Sequence, residues 1–467
     1  MPEVVVVSNR GPRSFQLDSS SRPVPADAAG GVAGTLRSLL AGTDTTWIAA
    51  AMTPADQMAS AAGLMSGDGI RVVAVEPDVE LYRMAYDLIA NATLWYCHHH
   101  LFDLPRRPVL DRRWHEAWEA YRALNVLFAE AVVHAAPPGA VVLVQDYHLA
   151  LIGSILAKSR PDLRTVHFSH TPFAGPDALR SLPAAAAGEL LSGMAGFGAC
   201  GFHTRRWEHA FRSDYADGVA DTGSDPLSPP RTFVAPLGPD SKGLSREMGS
   251  PKTVSAQHEL DNWVGDRKLI VRVDRVELSK NLLRGFWAYA ELLETRPAWR
   301  QRVVMMALTY PSRQNLQDYL AYRSEVEHTV ARINEQWGTA EWTPIELEVA
   351  DDRSKSLAAL RRYDALLVNP VRDGMNLVAK EGALVNSVGG AVILSREAGA
   401  WEELRPAAIG VNPFDVSDTA ASMDLALNMP ERERSERALK LREIVAQRTA
   451  ADWLADQLQA AGCAGTE

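Results

Sequence analysis

Cysteine is scarce in this chain of 467 residues: Cys97, Cys200 and Cys463 are scattered and show neither metal-type nor redox-type spacing. A disulfide framework is thereby excluded, and so is a cysteine-built metal centre. Long apolar runs are also missing. Although 46% of the residues are hydrophobic and 23% are charged, no stretch approaches the roughly 20 residues that span a bilayer. There is no basic excess either. A net charge of −10 disfavours nucleic acid and anionic membranes as partners, so any anionic ligand must meet locally placed arginine and lysine. Met1-Pro2-Glu3 leads directly into Val4 to Val7 without the basic start, apolar centre and cleavage site of a secretion signal, and the expected location is cytoplasmic. The length suits two domains.

What the chain does have is apolar runs alternating with helical stretches. Val4 to Val7, Val141 to Val144, Thr165 to Phe168, Leu269 to Val273, Val303 to Leu308, Ile345 to Val349, Ala365 to Val368, Ala391 to Ser395 and Ile409 to Val411 read as buried parallel strands. The implied class is doubly wound α/β, in which ligands bind beyond the carboxyl ends of the strands. The informative residues are therefore those that follow each run. After Val368 comes Asn369-Pro-Val-Arg-Asp-Gly-Met-Asn-Leu-Val-Ala-Lys-Glu381. Gly374 can turn the chain, and Met375, Asn376, Leu377 and Val378 begin a helix whose free N–H groups could cradle a diphosphate. Asp373 would face a sugar ring, and Glu381, about two turns into the helix, could accept from ribose hydroxyls. From this stretch alone, a helix N-terminus carrying solvated acids is an equal reading.

Arg275 and Lys280 stand five residues apart in the turn after Leu269 to Val273, and two such cations can neutralise charge on a departing nucleotide without a divalent metal. Arg10 follows the first strand, and Gly30-Gly31 opens a helix pattern able to hold phosphate. Asp146 and His170 follow later strands, where a structurally bonded aspartate and a satisfied core histidine are the plain alternatives. His98 to His100 invites a metal reading, but neighbouring side chains diverge on helix or strand, and no metal is expected. Trp114, Trp118, Tyr121, Leu124 and Phe128 recur at helical spacing and read as core. Ser213 to Ser255, rich in Asp, Gly, Ser and Pro, reads as the connection between domains. Arg442 to Ala461 reads as one helix that braces the first domain.

The wording of these segments, NRGP, VQDYHL, SHTPFAGPDALR, VDRVELSKN and NPVRDGMNLVAKE, resembles that of the trehalose-6-phosphate synthase family of retaining glycosyltransferases over nearly the whole chain. That resemblance implies two Rossmann-like domains facing across a cleft, the GT-B type: residues 1–237 for the acceptor, 238–445 for the nucleotide donor, and a terminal piece, 446–467, packing back on the first domain. It implies donor contacts from Gly30, Gly31, Arg275, Lys280, Asp373, Gly374, Met375, Asn376, Leu377, Val378 and Glu381. The acceptor would be met by Arg10, Tyr86, Trp95, Asp146, His170 and Arg313. Where the family usually has tryptophan near the end of the second strand, and proline and tyrosine after the matching tryptophan, this chain has Ala50, Tyr96 and His100. In detail the wording is most similar to a pseudo-glycosyltransferase branch, implying C–N bond formation with retention between GDP-valienol and validamine 7-phosphate to give validoxylamine A 7'-phosphate and GDP, as in validamycin antibiotic biosynthesis. The alternatives are trehalose 6-phosphate formation from a nucleoside diphosphate glucose and glucose 6-phosphate, and a non-catalytic sugar-phosphate-binding protein. No cofactor, nucleic acid or membrane partner is expected, and a homodimer is left open.

Overall fold

The computed structural model describes residues 3–26, 31–222 and 230–462; Gly30 and Cys463 lie outside them. The chain divides into two compact units, residues 1–236 with 450–467, and residues 237–449. Strands are numbered β1 (Val4–Ser8), β2 (Ser14–Leu17), β3 (Pro23–Ala26), β4 (Thr45–Ala50), β5 (Ile70–Val75), β6 (Val141–Gln145), β7 (Arg164–Ser169), β8 (Ala199–Phe202), β9 (Arg231–Val234), β10 (Lys268–Arg275), β11 (Val303–Tyr310), β12 (Ile345–Val349), β13 (Ala365–Val368), β14 (Ala391–Ser395) and β15 (Ile409–Val411).

The first unit is built on a seven-stranded sheet in the order β5-β4-β1-β6-β7-β8-β9, and the second on a six-stranded sheet in the order β12-β11-β10-β13-β14-β15. All pairings within both sheets are parallel. β2 and β3 form a separate antiparallel hairpin. Each order reverses once, between β1 and β6 in the first unit and between β10 and β13 in the second. At a reversal the two flanking helices lie on opposite faces, which opens a crevice at the strands' carboxyl ends. Helices cover both sheet faces, so the strands are apolar throughout: Val141 to Val144 and Ala365 to Leu367 are fully buried.

Two readings from sequence are corrected. Ser213 to Ser255 does hold the passage between the units, but among the described residues it is largely regular structure: a helix runs to Thr222, β9 adds the last strand of the first sheet, and helices Ser241–Met248 and Pro251–Val264 follow. Some of its polar residues, Asp240 and Ser250 among them, are helix-start chemistry. The Asp240 carboxylate accepts from Gly243 N–H, and the Ser250 hydroxyl accepts from Thr253 N–H with Pro251 in the first helical position. The chain passes between units at 236/237, inside this segment and one residue before the expected 237/238.

Arg442 to Ala461 is not one helix. Helix Glu431–Ala446 ends and helix Ala450–Ala460 begins after a break that holds the second passage at 449/450, rather than 445/446. Arg448 is held there by close packing: a side chain on Gly238 would meet its carbonyl oxygen at 2.2 Å. Helix Ala450–Ala460 belongs to the first unit and buries Trp453 completely, with its ring 5.3 Å from Phe168 and 5.6 Å from His170. Among the described residues no helix is long and apolar enough to cross a membrane. Trp453→Ala should cost about 3–5 kcal/mol, the range for emptying a buried tryptophan site, read as a lower urea midpoint.

Candidate active site

The second unit's switch point joins two turns, and buried charge shapes both. On β10, Arg272 is fully buried and binds Asp274 through Nη2 at 2.8 Å and Nε at 3.2 Å. Burial pushes the Asp274 carboxyl up, and Arg272 and Lys280 oppose that. Arg272 also donates to the carbonyls of Lys280 (3.1 Å) and Leu282 (3.2 Å), so the ion pair anchors the turn that follows. Asn281 closes that turn at φ 58, a left-handed conformation asparagine tolerates. Its side-chain amide donates to the carbonyls of Asn369 (2.9 Å) and Pro413 (2.7 Å), tying the turn to the chain beyond β13 and β15.

Lys280 Nζ lies 2.6 Å from Asp373 Oδ2, which also accepts from Asn376 Nδ2 at 3.1 Å. Burial disfavours the ammonium, but Asp373 and Asp274 outweigh it and raise the Lys280 pKa. Arg275, whose side chain is half exposed, approaches Glu277 Oε1 to 3.3 Å. Burial would raise Glu277, yet Arg275, Arg313 and Lys280 prevail and hold it at about 2.

The second turn rises from β13. Asn376, at φ 82, caps helix Leu377–Val385 by accepting from Ala379 N–H at 3.0 Å. Among the described residues the N–H groups of Leu377 and Val378 have no bonded partner. The segment after β14 supports this turn: Asp373 N–H donates to Glu397 O, Gly399 N–H to Asp373 O, and Ala400 N–H to Met375 O. Gly399 packs so closely that an added Cβ would stand 2.0 Å from the Gly374 carbonyl oxygen. Glu381 lies little more than one turn past Leu377, not two, and its Oε2 binds Arg353 Nη1 at 2.8 Å. Arg313, at φ 46, donates through Nη1 to Tyr319 Oη at 2.5 Å and stands 3.7 Å from Glu277 Oε1. The second unit thus brings Arg275, Lys280, Arg313, Asp373 and the Gly374-to-Val378 turn together at its switch point.

In the first unit Arg10 and Asp146 follow β1 and β6, the strands that flank its switch point. Arg10 is exposed. Asp146 adopts φ 71, a strained conformation for a non-glycine residue, and hydrogen bonds from both its main chain and its carboxylate hold it there. Its N–H donates to Phe168 O at 2.8 Å, its carbonyl lies 3.2 Å from His167 Nε2, and its Oδ1 accepts from His170 N–H at 3.2 Å.

The His170 ring sits between Gln145 Oε1 (2.9 Å) and His203 Nε2 (3.2 Å). Gln145 Nε2 donates to Gln457 Oε1, so its own oxygen accepts and the His170 proton is assigned to Nε2. Burial, with His203 and His167 beside it, lowers the His170 pKa well below the ordinary value and keeps it neutral. Tyr86 is stacked between Tyr82 (5.3 Å) and His148 (5.7 Å) and lies in a π-helical segment, Met84–Leu94, a rare form frequent at functional sites. Tyr82 in turn bonds Asn9, next to Arg10. Gly31, at φ 113, begins helix Val32–Leu40 without a side-chain cap.

Trp95 is buried, with its ring 4.3 Å from that of His99. The histidine run diverges: His98 packs on Phe173, His99 bonds back to Trp95 O, and His100 bonds Ala174 O. Among the described residues no group of three His, Cys, Asp or Glu is placed to hold a metal ion.

Residues 2–462 match the model of glycosyltransferase family 20. The chain belongs to that family. A family 20 relative, the trehalose-6-phosphate synthase of Mycobacterium sp. (strain JLS), is 31% identical over 460 residues, covering 95% of this chain and 92% of that one. The bifunctional trehalose-6-phosphate synthase/phosphatase of Thermoproteus tenax is 30% identical over 471 residues; the match covers 97% of this chain and spans only 62% of that protein's length. Among solved structures, an α,α-trehalose-phosphate synthase (UDP-forming) from Burkholderia xenovorans in complex with glucose-6-phosphate superposes with a TM-score of 0.84 at 26% identity, covering 99% of this chain and 100% of that one.

Sequence reasoning passed over Arg272, Glu277 and Asn281. Asn281 alone carried a signal, since it ends the Arg275 to Lys280 turn. Glu277 makes a test of the electrostatics. Its pKa falls from 4.5 to about 2, so it stabilises the fold above pH 4.5 and that contribution is lost as pH falls through about 2. At 1.36 kcal/mol per unit, roughly 2 kcal/mol should disappear between pH 5 and pH 3. Urea unfolding of Glu277→Gln at those two pH values should show a gap smaller by about that amount than the wild type.

Proposed function

We propose that the chain is a retaining glycosyltransferase that moves glucose from a nucleoside diphosphate donor to glucose 6-phosphate, forming trehalose 6-phosphate. The observation that carries this is Lys280 held 2.6 Å from Asp373 at a topological switch point, beside half-exposed Arg275 and an unspent helix N-terminus. A diphosphate seated there would take the N–H groups of Leu377 and Val378 and the two cations. Arg353 orients the Glu381 carboxylate, whose remaining lone pairs can accept from ribose hydroxyls.

Asp373, already bound to Lys280 and Asn376, would accept from the transferred sugar. As the bond from the anomeric carbon to the diphosphate oxygen breaks, Arg275 and Lys280 stabilise the charge that develops on that oxygen. The acceptor hydroxyl forms its new bond on the same face and gives its proton to the departing oxygen, so no general-base side chain is needed. Neutral His170 suits this role, since it can crowd the reacting carbon and offer its main chain without adding charge. Asp146, locked by its hydrogen bonds, would orient acceptor hydroxyls, and Arg10, Tyr86 and Arg313 would meet the phosphorylated acceptor.

The relatives named above are trehalose-phosphate synthases, which favours O-glycoside formation over C–N coupling of carbocyclic substrates. The departures at Tyr96 and His100 also have a packing explanation: Tyr96 is buried against Phe102, and His100 bonds Ala174 O. Ala50 remains the substitution that favours the pseudo-glycosyltransferase reading.

Mass analysis after incubation with UDP- or GDP-glucose and glucose 6-phosphate, and in parallel with GDP-valienol and validamine 7-phosphate, separates the two. Trehalose 6-phosphate should be the efficient product, and turnover should persist in EDTA; efficient validoxylamine A 7'-phosphate formation instead would reject the choice. Arg275→Ala or Lys280→Ala should lower kcat about 100- to 1,000-fold. Arg313→Ala should act mainly on KM for the phosphorylated acceptor.

A further inference from the structure

We propose that Glu277 is a positioning residue that sets the orientation of two anion-binding guanidiniums, Arg275 and Arg313, at a net cost in ground-state affinity. This deepens the functional reading above and rests on it. Glu277 is 1% exposed, and one of its oxygens, Oε1, serves three partners: Arg275 Nη1 at 3.3 Å, Arg313 Nη1 at 3.7 Å, and the Ser312 hydroxyl, which donates at 2.7 Å. Its main chain shapes the same turn. Glu277 N–H donates to Arg275 O at 2.8 Å, and Glu277 O accepts from Lys280 N–H at 3.0 Å. Tyr319 holds Arg313 from the other side, its hydroxyl accepting from Nη1 and its ring 5.4 Å from the guanidinium.

Two guanidiniums converging on one point repel each other. A single buried anion between them removes that repulsion and fixes both forks before any ligand arrives. The same anion opposes incoming phosphate, so its charge lowers the attraction of the site for nucleotide and acceptor alike. Orientation counts most when charge moves between groups, and misplacement by about 1 Å costs about 100-fold in rate. The contribution of Glu277 therefore falls on turnover, while its effect on binding has the opposite sign.

Glu277→Gln keeps the shape and removes the charge. With UDP-glucose and glucose 6-phosphate as substrates and UDP binding measured by calorimetry, kcat should fall about 10- to 100-fold while the Kd for UDP stays level or tightens by up to about threefold. Glu277→Asp, which keeps the charge, should recover kcat above the Gln variant. Ser312→Ala removes only the hydroxyl and keeps the ion pairs, so it should lower kcat about five- to tenfold with the Kd for UDP unchanged, and it carries the test if Glu277→Gln does not fold.

A kcat within threefold of wild type in Glu277→Gln, or in Ser312→Ala should only that variant fold, overturns the inference. UDP affinity falling in parallel with kcat overturns it too, since that is the signature of a merely structural role. A wild-type chain that makes no trehalose 6-phosphate overturns the functional reading and this inference with it, whereas wild-type turnover beside an undiminished Gln variant overturns the inference alone.

Discussion

The contact between Lys280 and Asp373 is the constraint on which the second unit's chemistry depends. It joins the turn after β10 to the turn after β13, the two strands between which the sheet order reverses. An ammonium drawn this far out of water persists only where carboxylates stand against it, and Asp373 and Asp274 both do. The fully buried Arg272 is the complementary device. It neutralises Asp274 and fixes the carbonyl of Lys280, so side chain and main chain of the same lysine are held by different charges. A site that must stabilise an arriving anion gains from cations already desolvated and aimed, because no reorganisation is then required.

The first unit offers contrasting physics. Its switch-point residues are not a cluster of paired charges but a strained aspartate and a chain of neutral polar groups, Gln457 to Gln145 to His170 to His203. Burial, with His203 and His167 nearby, keeps the His170 ring neutral, and the Gln145 side-chain oxygen assigns its proton to Nε2. The last helix takes part, because Gln457 and Trp453 both reach this group. The chain's end is thus part of the scaffold for Asp146 and His170.

Most of the parallel strands, and the polar residues at their carboxyl ends, were legible in the sequence because strands buried on both faces print as unbroken apolar runs. Arg275, Lys280 and Asp373 stand out for that reason. Glu277 and Arg272 do not: an acid in a charged turn reads as solvated, and an arginine inside an apolar strand gives no hint that an aspartate two residues on will neutralise it. The segment 213–255 was rightly read as holding the passage between units, but its helices were missed because Asp240, Ser250 and Pro251 serve equally as linker residues and as helix starts; only the hydrogen bonds decide. Glu381 was located on the right helix but placed too far along it, since it lies only four residues past Leu377, little more than one turn.

Gly399 carries a consequence beyond local packing. Hydrogen is the only substituent that fits there, because the Gly374 carbonyl occupies the space any larger group would need. A lone methyl at this position would act as a wedge against the Gly374-to-Val378 turn, tilting it without replacing any of its atoms. Anyone redesigning that turn has, at this residue, a lever that changes the identity of no proposed substrate-touching residue.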